Sequence, residues 1–386
     1  MHELMWLLLP VAALTGWVVG RREAASVQGS GRRGSIPDSY LQGINYLLND
    51  ERDKALEVFT QMAEIDSETA EAHLALGSLF RRRGEVDRAI QIHQNLVARP
   101  NLTTQQRIYA LLALGEDFMK AGLFDRAEEV FGKVIEQDAH VEQALRNLLT
   151  IYEHEKEWSK AIDVAQRLDR ISNRDYRDSI AQLHCELAAA AMAEGEVATV
   201  REQINKALKV DRGCVRANIL RGDLEREQKR CRAAIKAYKA VARQDLAMVP
   251  EIVDGLDACF EAQGTPERLE GFLREVINQY PDGRLVARLA EIVSERRGTH
   301  EALNELTGLL RRHPTLVGIR RLVSLAYSMG QPIDPRDLQI LLGLFDRLEA
   351  IRSLYRCKKC GFSSRSLFWH CPGCKQWASM RPVEEI

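Results

Sequence analysis

The first apolar feature of the chain is one uninterrupted block. Leu4 to Val19 (LMWLLLPVAALTGWVV) holds no charged residue, and Met1 to Gly20 would make about 30 Å of helix, close to the thickness of a bilayer core. Trp6 and Trp17 sit toward its two ends, where amphipathic rings favour the membrane–water interface. Pro10 weakens a soluble helix but is tolerated in a membrane one. The pattern predicts a transmembrane anchor over residues 1–20. Arg21 and Arg22 follow the block and no Lys or Arg precedes it. The positive flank stays in the cytoplasm, so the N-terminus faces out and the rest of the chain lies inside. A cleaved secretory signal would need a basic region ahead of the apolar run, and none is there. Ser26 to Pro37 is rich in Ser, Gly and Arg, and residues 21–35 read as a flexible cytoplasmic linker.

Beyond the linker the pattern turns periodic. Gly43-x-x-Tyr46 with Ala55-x-x-x-Phe59 returns as Gly77-x-x-Phe80 with Ala89-x-x-x-His93. It returns again as Gly115-x-x-Phe118 with Ala127-x-x-x-Phe131, and then as Tyr152 with Ala161-x-x-x-Ala165. The steps 55 to 89 and 127 to 161 are each 34 residues, and 89 to 127 is 38 because of an insertion at Pro100–Gln106. A period of 34 with small residues at fixed offsets is the tetratricopeptide pattern, two antiparallel helices per unit. Gly and Ala stand where neighbouring helices must approach closely, aromatics fill the holes between them, and Gly84, Gly122, Gly195 and Gly264 fall in turns between paired helices. Val200 and Ala234 continue the interval, with Gly222 at the first-helix small position, and Leu269 and Leu303 repeat it. Near Gly298 and Gly330 it fades. The expectation is an all-α superhelical solenoid over 36–345, with about seven clear repeats to 283 and degenerate ones after. Stacking buries the apolar faces of such units and leaves an extended concave face for other proteins.

Composition agrees with helices. Of 386 residues, 45% are apolar, 28% charged and only 6% aromatic, which disfavours both wholesale disorder and a β-sandwich. Lys and Arg total 54 against 55 Asp and Glu, a balance that argues against a nucleic-acid coat. His73, His93, His140 and His184 show no paired ligand spacing and read as ordinary helix residues.

Four of the eight cysteines crowd near the C-terminus: Cys357-Lys-Lys-Cys360 and Cys371-Pro-Gly-Cys374, with ten residues from Gly361 to His370 between them. Two residues between cysteines let both thiolates reach one ion while turn amides point at the sulfurs, and two such turns make a closed tetrahedral four-sulfur site. Residues 351–386 therefore read as a rubredoxin-like or zinc-ribbon metal-binding module with ligands Cys357, Cys360, Cys371 and Cys374. Four thiolates accept zinc or iron alike, and a site with four protein ligands has no open position for hydrolysis. His370 is a much weaker ligand candidate. Phe362, Phe368, Trp369 and Trp377 are expected to form the module's small core or to dock it against the solenoid, capping or bracing the last repeats. The module carries seven basic residues against two acidic ones, which favours anionic lipid over nucleic acid in a membrane-tethered chain. There is no Walker loop, no Gly-x-Ser-x-Gly and no His-Glu-x-x-His, so the chain reads as a non-enzyme.

The anchor LLLPVAALTGWVVGRR, the stretch EAHLALGSLFRRRGEVDRAIQIHQNL (Glu71–Leu96) and the tail RCKKCGFSSRSLFWHCPGC together resemble the lipopolysaccharide assembly protein B family of Gram-negative bacteria. The resemblance spans essentially the whole chain. It implies an inner-membrane, single-pass adaptor facing the cytoplasm, which promotes degradation of the deacetylase LpxC by the membrane protease FtsH and gathers other lipopolysaccharide synthesis and transport proteins. It further implies iron at Cys357, Cys360, Cys371 and Cys374, as in rubredoxin, with zinc as the alternative. Nucleic acid is not an expected partner, and homo-oligomer formation is left open. The competing readings are a rubredoxin-like redox or metal-sensing protein, and a general membrane scaffold with no proteolytic role.

Overall fold

A computed structural model of the chain describes residues 38–49, 51–65, 70–138, 140–330 and 335–383. The expected anchor (1–20) and linker (21–35) lie outside these residues, and among the described residues no helix is long and apolar enough to cross a membrane. The described chain is an all-α array of helix pairs ending in a three-stranded module. It divides into two compact units, 1–147 and 148–386.

The first unit holds α1 (Asp38–Leu48), α2 (Arg52–Ile65), α3 (Ala70–Arg83), α4 (Val86–Val97), α5 (Thr104–Lys120), α6 (Phe124–Glu136) and the start of α7 (Val141–Glu155). Ala55, Ala89 and Ala127 are fully buried on the second helix of each pair. The first-helix glycines have a definite partner. A Cβ at Gly43 would lie 2.6 Å from the Phe59 ring, and one at Gly115 would lie 2.6 Å from Phe131, so the second-helix aromatic sits on the bare backbone of the first. The insertion at Pro100–Gln106 builds a new helix start. Thr103 accepts from the Gln106 amide and donates its own to the Gln106 side chain, a capping box that satisfies two otherwise orphaned donors. Arg107 then donates to the Val97 and Arg99 carbonyls at the end of α4.

The second unit continues with α8 (Trp158–Ile171), α9 (Arg177–Ala193), α10 (Val197–Val210), α11 (Val215–Glu227) and α12 (Cys231–Gln244). After a 3-10 turn (Leu246–Glu251) come α13 (Val253–Ala262), α14 (Glu267–Gln279), α15 (Gly283–Arg297), α16 (Thr299–Arg312), α17 (Leu316–Ser328) and α18 (Pro335–Ile351). Its main core runs from Ala234 to Leu325. Two turns use lysine where other repeats use glycine. Lys156 (φ 60°) and Lys229 (φ 58°) take the left-handed conformation that Gly84 and Gly122 take in theirs. The interval from Leu269 does not end on Leu303. The fully buried residue is Ala302, while Leu303 is half-buried, because a single residue, Gly298, joins α15 to α16 where other pairs use two or more. The final pair packs loosely, with Ile340, Leu344, Leu348 and Ile351 of α18 exposed.

After α18 the chain forms β1 (Tyr355–Cys357), β2 (Ser363–Ser364) and β3 (Met380–Pro382), antiparallel in the order β2-β1-β3. Tyr355 faces Ser364 on one side and Pro382 on the other, and Cys357 faces Met380.

Candidate metal centre

Each Cys-x-x-Cys pair closes a tight turn off this sheet. In the first, the Cys357 amide donates to the Phe362 carbonyl (2.7 Å), the Gly361 amide to the Cys357 carbonyl (3.0 Å), and the Lys359 amide points at the Cys357 sulfur (3.4 Å). In the second, the Cys371 amide donates to Gln376 (3.0 Å) and the Lys375 amide to the Cys371 carbonyl (2.9 Å). The residue after the second cysteine is left-handed in both turns: Gly361 (φ 77°) and Lys375 (φ 55°). Glycine adopts that conformation freely, and Lys375 holds it inside the second knuckle at a steric cost.

The two turns bring the four sulfurs within 4.8 Å of one another. The closest approaches run between knuckles, Cys357 to Cys374 at 3.7 Å and Cys360 to Cys371 at 3.8 Å, and all four cysteines are free thiols. Cys357 and Cys371 are buried while Cys360 is exposed. Contact with the Ser379 hydroxyl, and after it the amides of the turn, hold the Cys357 thiol down at about 6. Burial first, then crowding by the other three sulfurs, pushes the Cys374 thiol up to about 12. Four thiols packed this closely cannot all ionise unless a cation shares the charge. With amides aimed at sulfur and four soft donors in one place, the cluster fits a four-coordinate zinc or iron ion. His370 stands outside it. Its Nε2 is 2.9 Å from the Lys375 carbonyl and its ring stacks on Trp377, with centroids 4.2 Å apart.

The aromatic residues divide their work. Phe362 joins Tyr355, Cys357, Cys371 and Met380 in the module's own core, whereas Trp369, half-buried, packs against the solenoid core and Phe368 stays exposed. Arg216 lies over the Trp369 ring, 5.6 Å from its centroid. The Trp377 indole donates to Glu153 (2.7 Å) and meets Trp158 edge-on. Burial raises the Glu153 carboxyl above its usual range, against the indole hydrogen bond. Tyr355 donates to Glu251 (2.5 Å), Arg284 reaches both, and Arg381 pairs with Asp245. Burial, then Glu251, pushes the Tyr355 phenol up to about 12.

These anchors correct one expectation. The module does not cap the last repeats. It lies against residues 153–284, chiefly the first helices α7, α11 and α15 and the 3-10 turn, and touches the end of α18 through Arg365 and the Ala350 carbonyl. The cause is the placement of its docking groups, since Trp377 finds partners at the start of the unit and Trp369 and Tyr355 find theirs in its middle.

The matches to known families agree with this architecture. Residues 355–382 match the family described as rubredoxin metal binding domain, and residues 72–105 and 112–176 match tetratricopeptide repeats. The lipopolysaccharide assembly protein B of Escherichia coli strain K12 is 38% identical over 390 residues, covering 100% of this chain and 99% of that protein. Its namesake in Haemophilus influenzae is 35% identical over 394 residues, covering 99% and 98%. Among solved structures, the C-terminal part of a tetratricopeptide repeat-containing protein from Cytophaga hutchinsonii aligns with 73% of this chain and 99% of its own, at 13% identity and a TM-score of 0.40.

Proposed function

The chain belongs to the lipopolysaccharide assembly protein B family, and from that premise we propose that it is a membrane-tethered adaptor that controls lipopolysaccharide synthesis by presenting the deacetylase LpxC to the protease FtsH. The observation that carries this reading is the build of the second unit, in which a metal-type module is fastened onto the first-helix face of a repeat array. Such a surface holds segments of other proteins.

In this reading residues 1–20 anchor the chain in the inner membrane, with the bulk of the protein on the cytoplasmic side. Tethering raises the concentration of weakly held partners beside a membrane protease, so that modest contacts become effective. Cys357, Cys360, Cys371 and Cys374 would hold iron, with zinc as the competitor. The ion supplies structure, fixing the two knuckles so that Tyr355, Trp369 and Trp377 keep their places on the solenoid.

The test is the lifetime of LpxC in cells. Depleting the chain should lengthen the deacetylase's half-life, and restoring it should shorten that half-life again. An unchanged half-life under depletion would leave a scaffold without a proteolytic role.

A further inference from the structure

Four cysteines lie outside the metal cluster, and they fall into two pairs, Cys231 with Cys259 and Cys185 with Cys214. Cys185, inside α9, and Cys214, the cap residue just before α11, place their sulfurs 3.8 Å apart. Both are free thiols and both are buried, but they differ in surroundings. Cys214 lines a cleft of about 560 Å³ between the solenoid and the metal module, facing Trp369, Lys358 and Asp178. Cys185 lies behind it with no exposed surface.

Donors converge on the Cys214 sulfur. The Gln182 amide nitrogen is 3.6 Å away, the Cys185 thiol faces it, and the Ala217 amide of the first turn of α11 points at it. Hydrogen bonds at a helix N-terminus favour the thiolate, which is the species that reacts with oxidants. The Cys185 hydrogen bond leads in lowering the Cys214 thiol, against burial and Asp211, while Cys185 itself is raised. The pair therefore sets the sulfur that receives the donors at the cleft and the other thiol behind it.

We propose that Cys185 and Cys214 form a peroxide-responsive dithiol, a modification site separate from the four-cysteine cluster. The Cys214 thiolate attacks the O–O bond of hydrogen peroxide. An S–O bond forms, the O–O bond breaks, and the departing hydroxide takes a proton and leaves as water. The Cys185 thiol then attacks the sulfenic sulfur, the S–O bond breaks, and a second water leaves with the Cys185 proton. Two thiols are oxidised by two electrons to one disulfide, and one peroxide is reduced to two waters. The product would join α9 to α11 beneath the docked module. Cys259 offers a contrast within the same unit. It is fully buried, and burial, then Cys231, pushes its thiol up to about 11, so it stays protonated and is spared.

The experiment uses the full chain, purified in detergent with zinc in the four-cysteine site so that the metal itself cannot change oxidation state. After brief exposure to hydrogen peroxide and digestion without reductant, the peptides carrying Cys185 and Cys214 should appear joined, two hydrogens lighter than their sum, and separate again with a dithiol reductant. In the Cys185→Ser variant the reaction should stop at a Cys214 sulfenic acid that dimedone traps. Should that variant fail to fold, the cross-link in the unmodified chain decides alone. A Cys214 that remains a thiol while other cysteines oxidise, or that pairs with a knuckle cysteine, overturns the proposal. So does a Cys231–Cys259 disulfide in place of the expected one.

Discussion

Asp117 shows how much a single side chain carries. It is fully buried, accepts from Arg81 at 2.6 Å and faces His93 Nδ1 at 2.5 Å. Its removal leaves the buried His93 ring without its Nδ1 partner while Arg81 keeps Glu116, so Asp117→Ala should cost about 1–3 kcal/mol in urea unfolding. Lys133→Ala breaks only an exposed pair with Glu129 and should leave the midpoint where it was. The glycines divide in the same way. Gly115→Val drives methyl groups into the Phe131 ring and should lose about 1–3 kcal/mol. Gly132 has open space where its Cβ would stand, so Gly132→Ala should gain about 0.5–1 kcal/mol. Burial holds the His184 imidazole below its ordinary range, with Nδ1 2.8 Å from Gln203 Oε1. The folded chain binds that proton less tightly than the unfolded one, so the stability it contributes is present above an unfolded pKa of about 6.5 and lost as pH falls below it. His184→Gln should flatten the acid side of the stability profile, and an unaltered profile would remove His184 as the cause. At this scale the sequence was legible wherever a position repeats. Ala55, Ala89 and Ala127 declare themselves by their interval, whereas His93 read as an ordinary helix residue. It occupies the place of Phe59 and Phe131, and its partner Asp117 lies on another helix 24 residues away. A polar residue at an apolar repeat position was the signal that something must pair with it.

At the scale of elements, period and turn chemistry account for most of the array, and the departures have local causes. Lys156 and Lys229 hide two turns that glycine would have marked, and the one-residue joint at Gly298 moves the buried position from Leu303 to Ala302. The two knuckles were legible because ligand spacing is written within four residues. Their seat was not, since Trp377 finds Glu153 from 224 positions away and Tyr355 finds Glu251 from 104. In the proposed reading a shared ion would hold the knuckles rigid for those contacts. Cys371→Ser with Cys374→Ser should abolish metal binding and expose residues 352–383 to limited proteolysis, while helix content falls little. Full metal content together with unchanged protease resistance would contradict the account.

For the molecule as a whole, the claim is that an anchored repeat array brings other proteins together and that its metal-type module braces the array from the middle. Anchor and array then have separable roles. A chain beginning at Pro37 should fold and bind metal as the full chain does, yet fail to restore LpxC turnover at native expression levels; full restoration would show that tethering is dispensable. The most direct measurement is a reconstitution, with FtsH in proteoliposomes, LpxC in solution and the rate of LpxC loss followed with and without the full chain. The account predicts that adding the chain speeds the loss and that the double cysteine variant does so poorly. A rate that is the same with the chain present or absent would contradict it.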